Sequence, residues 1–321
     1  VSDITLTTPG AAPRLVSPPP KPVKTRIGVV AARRARWGWL FVAPFGVFLV
    51  VFLLAPLVYS FILSLQNKTV ATGTQWVWFD NYAKAFSDPL FLEGVWLVVR
   101  FSILLIPIQM LVSLIAALIL DALTSRFSRF SRLMIFVPYA VPAVIGALMW
   151  GFLYSPSFGP ASEIFGWFGL EAPNLLGKNE IFGSLINVVT WQWAGYYMII
   201  IYAALQGIDP AVYEAARLDG ANAIQTAIRI KIPMISSSLV LILVFALIGT
   251  LQFFTEPQIM RSLASGSIDA SYTPNIYAYT LAFSYSQFNY ASAISFALGL
   301  VVFIGSYLFL YLTRKRNGLN G

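Results

Sequence analysis

The chain has 321 residues, 58% of them hydrophobic and only 11% charged, with mean hydropathy +0.75. Soluble domains carry about 25% charged residues, so this chain lacks the polar surface to face water and reads as an integral membrane protein. It contains no cysteine and no histidine. That excludes disulfides, thiolate and imidazole metal sites, Ser-His-Asp and Cys-His catalysis, and histidine proton relays.

In chain order, residues 1–36 form a basic tail with Pro18, Pro19, Pro20 and Pro22 close together, the composition of a disordered arm. The first apolar run starts too late and is too long for a cleaved signal peptide. A spanning helix needs about 20 mostly apolar residues. Six stretches qualify: Trp37–Leu65, Val95–Leu120, Leu133–Tyr154, Phe182–Gln206, Met234–Thr255 and Tyr290–Leu312. They lack the alternation of barrel strands. The expected fold is therefore all-α: a six-helix membrane domain over 37–313, followed by a short tail, 314–321. Arg100, in the second stretch, lies within snorkelling reach of the interface. No Asp or Glu falls within these six stretches, which counts against proton- or sodium-coupled transport.

The fourth stretch holds Asn187, Thr190, Trp191, Gln192, Trp193, Tyr196 and Tyr197. Several of these lie too deep for an interfacial aromatic belt. Gln192 and Tyr196 share a face at i, i+4. In the fifth stretch Ala246, Gly249, Thr250 and Phe253 follow i, i+3, i+4, i+7, small residues that leave room beside a hydroxyl and a ring. Amides, hydroxyls and aromatic faces without a fixed charge suit a neutral carbohydrate. The same residues would also serve to pack helix on helix.

Between these stretches, residues 207–233 read as a helical pair rather than a plain loop. Asp209 is a good N-cap before Pro210, Gly220 suits a left-handed C′ position, Asn222 caps a second helix, and Pro233 interrupts it. Glu214 and Asp219 offer carboxylates beside the narrow surface of Ala215 and Ala216.

The distribution of basic residues sets the orientation. Seven Lys and Arg in the first tail, and three each in the second-to-third connection, the fourth-to-fifth connection and the second tail, place sixteen on one side. Four lie on the other. Both termini and the 207–233 segment are thus expected in the cytoplasm. The net charge of +8 is a topology signal rather than a sign of nucleic-acid binding.

Glu214, Ala215, Ala216, Gly220, Ile230 and Pro233 match the EAA–x3–G–x9–I–x–L–P pattern, with Ile232 at the usual Leu. On these residues the chain resembles the inner-membrane permease subunits of bacterial ABC importers, in their maltose-type carbohydrate branch. The resemblance extends over roughly Trp37–Leu312 and leaves out the tail and the large extra periplasmic domain of some members. It implies that Glu214, Ala215, Ala216, Asp219 and Gly220 couple to an ATPase. It also carries sugar contacts over to Gln192, Trp193, Tyr196, Thr250 and Phe253, although Trp193 and Phe253 are not the residue types that branch leads one to expect. The implied partners are a second homologous permease, two ATPase subunits, an extracytoplasmic sugar-binding protein and the bilayer of the cell membrane. ATP and Mg would sit on the ATPase subunits. The single Gly-Lys pair, Gly177-Lys178, has Ala172 and Asn179 where a phosphate-binding loop needs Gly and Ser or Thr, so no cofactor and no enzymatic activity are expected in this chain. An ion-coupled transporter or channel and a membrane scaffold or insertase component are the rival classes.

Overall fold

In hydrocarbon the backbone must satisfy its own polar groups, so a chain this apolar folds into helices. The computed structural model describes residues 27–69, 73–122, 126–156 and 159–314. Among them, five helices are long and apolar enough to cross a membrane, and one bent pair makes a sixth.

Residues 27–58 belong to one unit; residues 1–26, most of the expected disordered arm, lie outside the described residues. Helix α1 (Ile27–Leu49) starts within the last part of that arm and passes through a π-helical turn, Val50–Leu54, into α2 (Ala55–Ser64). The large apolar side chains from Trp37 to Val58 are exposed.

The second unit begins at Tyr59. The end of α2 leads into an antiparallel hairpin, β1 (Gln66–Thr69) and β2 (Gly73–Trp76), with Gln66 opposite Trp76, and then into α3 (Asp80–Ser87). Helix α4 (Pro89–Ala122) packs along α8 (Ile181–Gln206). Two polar side chains on α4 tie these apolar helices together: Gln109 Nε2 donates to the Val189 carbonyl (3.2 Å) and Ser113 Oγ to the Ala194 carbonyl (3.0 Å). Such bonds hold membrane helices together where no hydrophobic difference between lipid and side chain can.

The third apolar stretch is not one straight span. It divides into α5 (Arg126–Ala140) and α6 (Ala143–Leu153), which meet at 97°. Pro142 biases Val141 away from helical geometry and itself adopts an extended ψ of 135°. Helix α5 lies against α8 at Gly195, where any Cβ would collide with the Ile135 carbonyl.

After α7 (Pro160–Trp167) and α8 come α9 (Pro210–Leu218), α10 (Ala223–Thr226), a π-helical turn (Ala227–Lys231) and α11 (Ile232–Met234). The fifth span is interrupted as well. Helix α12 (Ser236–Leu251) ends, Phe254 takes φ −143° and ψ −52°, and α13 (Thr255–Met260) completes the span. This corrects the expectation that no acid lies within the spans, since Glu256 sits inside the fifth. The second span also runs on to Ala122 and so takes in Asp121 and, near its start, the exposed Glu93. Arg100 is exposed, with its guanidinium 5.9 Å from the Trp96 ring centroid.

Helices α14 (Pro274–Phe283) and α15 (Phe288–Arg314) end the described chain; the tail beyond Arg314 lies outside the described residues. Phe91, Tyr277, Tyr290 and Ile294 form an apolar cluster there. At its edge Asp88 accepts hydrogen bonds from Tyr277 Oη (2.8 Å) and Tyr290 Oη (2.7 Å). Burial pushes the Asp88 carboxyl up, but these bonds and the Leu90 and Phe91 backbone N–H groups outweigh it and hold it below the usual carboxylate value.

Candidate functional site

Two regions gather the residues singled out in the sequence. The first is the segment between α8 and α12. Asp209 Oδ1 accepts from the Ala211 N–H (2.9 Å), and Pro210 fills the first helical position of α9. The helix stops because Gly220 takes φ +77°, which lets the Ala221 N–H return to the Ala216 carbonyl (2.9 Å). Asn222 then closes a capping box with Gln225, at 2.8 and 2.9 Å. Pro233 has no N–H to donate, and the helix before it widens into the π turn, where the Ile232 N–H reaches the Ala227 carbonyl.

Within this segment Ala216 is buried, whereas Glu214, Ala215, Asp219 and Gly220 are exposed. Three apolar side chains are exposed with them: Leu218 (89%), Ile224 (70%) and Ile228 (60%). Carboxylates beside unpartnered apolar side chains on a rigidly capped element suit a protein surface better than water. On the inner side, Lys231 Nζ pairs with Asp121 Oδ2 at the end of α4 (2.5 Å).

The second region is a cavity of about 530 Å3 within the bundle. Gln192, Trp193, Tyr196, Thr250 and Phe253 all line it, although they come from α8, α12 and the break after α12, where Phe253 lies beyond the helix that its spacing predicted. Each does something more specific than its residue type suggests. Gln192 Nε2 donates to the Val141 carbonyl at the joint between α5 and α6 (3.2 Å), and its Oε1 is buried without a partner. Tyr196 stacks on Tyr139 (4.6 Å between centroids, 18°), and Trp193 meets the same ring edge-on at 5.4 Å. Thr250 Oγ1 donates to the Ala246 carbonyl of its own helix (2.7 Å). Phe253 is almost fully buried and stacks on Phe101 (4.4 Å, 13°), so most of its ring serves packing. Gly249 faces open space, with no atom within 4 Å of where a Cβ would be.

The other polar residues of the fourth span divide between cavity and packing. Tyr197 lines the cavity. Asn187 Nδ2 donates to Tyr154 Oη (2.7 Å) and Trp191 meets Trp150 edge-on, both toward α6. Thr190 is buried away from the cavity lining.

Among the lining residues that sequence reasoning missed, four carry polar groups at informative places. Gln109 was legible as a lone amide in a long apolar run. Tyr139 precedes the break in the third span. Gln252 and Glu256 flank the break in the fifth. Glu256 is 8% exposed, and no ion pair reaches it among the described residues. The cavity lining contains no Lys or Arg. Among the described residues no group of His, Cys, Asp or Glu is arranged to hold a metal ion.

Residues 109–317 match the family described as "Binding-protein-dependent transport system inner membrane component". The chain belongs to that family. It is thus a non-catalytic membrane subunit of a transport system. It is 31% identical to the lactose transport system permease protein LacF of Rhizobium radiobacter, over 87% of this chain and 94% of that protein. It is 30% identical to the sn-glycerol-3-phosphate transport system permease protein UgpA of Salmonella choleraesuis, over 84% and 92%. A chain in the crystal structure of a bacterial alginate ABC transporter, in complex with an alginate pentasaccharide-bound periplasmic protein, superposes with TM-score 0.80. That match covers 92% of this chain and 99% of the other at 20% identity, and establishes the shared fold.

Proposed function

We propose that this chain is one of two homologous permease subunits of an ABC importer for a neutral sugar of di- or oligosaccharide size. In this reading both termini and the α9–α11 segment face the cytoplasm. Glu214, Ala215, Asp219 and Gly220, with the buried Ala216 packed beneath them, dock into an ATPase subunit that holds ATP and Mg, and an extracytoplasmic binding protein delivers the solute. Gln192, Trp193, Tyr196, Thr250 and Phe253 line the translocation path.

The observation that carries the solute class is the cavity wall. Recognising a phosphate or a uronate calls for Arg or Lys, the side chains that pair with such anions. The wall has neither. It offers ring faces at Tyr139, Trp193 and Tyr196 for the C–H face of a sugar, and amides for its hydroxyls. Glu256 corrects the expectation of a wall without acids, and it disfavours an anion further. The named relatives act on solutes of both kinds, and this wall favours the lactose type over the glycerol phosphate type. Glu256 also supplies the intramembrane acid that an ion-coupled transporter would use, but a system built around a delivering protein is energised by its ATPase.

The test is uptake by proteoliposomes holding the purified complex and its binding protein, with ATP inside. Labelled lactose should enter and sn-glycerol-3-phosphate should not, and a protonophore should leave the rate unchanged. Preferential uptake of the phosphate, or uptake that needs an ion gradient and no ATP, would sink the reading.

A further inference from the structure

The coupling segment is held from inside by a four-residue knot. Asp121 stands in the last turn of α4, and both of its carboxylate oxygens are engaged. Oδ2 pairs with Lys231 Nζ at 2.5 Å, and Oδ1 accepts from Gln206 Nε2, on the last residue of α8, at 2.7 Å. Lys231 Nζ also lies 5.0 Å from the ring centroid of Tyr213, the residue before Glu214 on α9. The Lys231 and Asp121 side chains are 16% and 7% exposed, and theirs is the one ion pair among the described residues.

The place of this knot matters more than its strength. Helices α4 and α8 end here and line the cavity higher up, through Gln109 and Gln192. Those residues lie twelve and fourteen positions back, or roughly 18 and 21 Å along the helix axes. The coupling segment presents Glu214 and Leu218 outward, while Lys231 and Tyr213 turn inward to the ends of the cavity helices. Buried apolar packing would hold the segment close yet let it slide. Charge-assisted hydrogen bonds on both oxygens of one carboxylate fix its distance and its direction.

We infer that the Lys231–Asp121 pair, with Gln206 completing the carboxylate's bonding, is the strut that passes movement of the coupling segment into α4 and α8. Lys231 and Asp121 are positioning residues. The inference rests on the importer reading above, and assigns within it the link between ATPase and cavity.

The absence of native cysteine makes the test direct. In the complete complex, Gly249→Cys places a thiol on the cavity wall, where the extra Cβ meets no atom within 4 Å. Its rate of labelling by a methanethiosulfonate reagent is measured with no nucleotide, and after trapping with ATP and orthovanadate. With the native pair, trapping should change the rate at least fivefold. In Lys231→Met and Asp121→Asn backgrounds that change should fall below twofold, while the nucleotide-free rate stays within twofold of the native pair, a sign that the resting cavity is intact. Lys231→Arg and the swap Lys231→Asp with Asp121→Lys should restore the response. If the single variants keep the full response, or lose it and neither restoring variant recovers it, the strut is overturned. If the single variants do not assemble, the swap decides alone. A nucleotide-insensitive thiol with the native pair would instead sink the importer reading and take the strut with it.

Discussion

The proposed coupling segment and the cavity are built by opposite rules. From Asp209 to Gln225 the chain shapes itself by contacts two to five residues apart, and the turn at Gly220 needs no help from the rest of the bundle. The cavity has no local plan. Its wall joins α4, the α5–α6 joint, α8 and the break after α12. A locally determined element keeps its shape while it moves. A wall assembled from several helix ends changes shape whenever those helices shift. On the proposed reading, in which one end is pushed and the other must open, that is a sound division of labour.

This contrast can be broken by substitution. The largest effect is expected at Gly220. Gly220→Pro fixes φ near −65° where +77° is required, and should abolish stimulation of ATP hydrolysis by solute-loaded binding protein while the chain still inserts. Gly220→Asn, which tolerates the left-handed region, should retain most of it. Reversing the exposed charge with Glu214→Arg should also uncouple. Full stimulation in both Gly220→Pro and Glu214→Arg would refute the role of the segment.

On the cavity side, Gly195→Leu drives a side chain into the α5 backbone at Ile135. Overpacking of this kind costs about 1–3 kcal/mol. A measurable fall in the melting temperature of the purified complex is expected, together with weakened transport. An unchanged melting temperature would show that α5 is free to move away.

Smaller effects sharpen the picture. Tyr196→Phe removes a single hydroxyl and leaves the ring stacked on Tyr139, so a lost neutral hydrogen bond of about 0.5–1.5 kcal/mol should lower transport roughly 2–10-fold at unchanged stability. Gln192→Ala should reduce transport and stability together, because the same amide bonds the α5–α6 joint at Val141. If both variants transport normally, the solute takes another route.

The smallest effect is expected at Asp88, outside both regions. Its carboxyl is held below the ordinary value in the folded chain, so its contribution to stability is complete above the unfolded value. It fades as pH falls through the lower folded one, below about pH 4. Wild type should therefore lose melting temperature on acidification more steeply than Asp88→Asn. Equal slopes would show that the Tyr277 and Tyr290 bonds do not bias the titration.

How legible each region was in the sequence follows from the same contrast. The six spans and the caps at Asp209, Gly220 and Asn222 were readable because apolar length and capping chemistry are local. The breaks were not. An apolar run registers length but not direction, so the 97° turn at Val141–Pro142 is lost within a continuous stretch, even though Pro138 and Pro142 stand in plain view. Glu256 was missed by one position, because an acid after an apolar run marks a span's end unless the helix breaks and resumes. The hairpin and α14 lie in connections whose mixed polarity carries no strong period. Gathering Gln192, Trp193, Tyr196, Thr250 and Phe253 onto one wall depended on the family resemblance, since no rule of spacing joins two helices more than fifty residues apart.

The hydrogen bonds already made inside the cavity set part of its wall aside as acceptors. Thr250 has given its proton to the Ala246 carbonyl, and Gln109 and Gln192 each direct an N–H to a backbone oxygen. What stays open includes Gln192 Oε1, the lone pairs of Thr250 and the carboxyl of Glu256. These groups accept hydrogen bonds, while the Tyr139, Tyr196 and Tyr197 hydroxyls and the Trp193 Nε1–H of the same wall donate them. A sugar hydroxyl against Gln192 and Thr250 would therefore be held through its hydrogen, and one against the ring hydroxyls through its oxygen. O-methylation keeps each oxygen and removes the hydrogen, so stepwise methylated sugars would read out, hydroxyl by hydroxyl, which way the solute faces in transit.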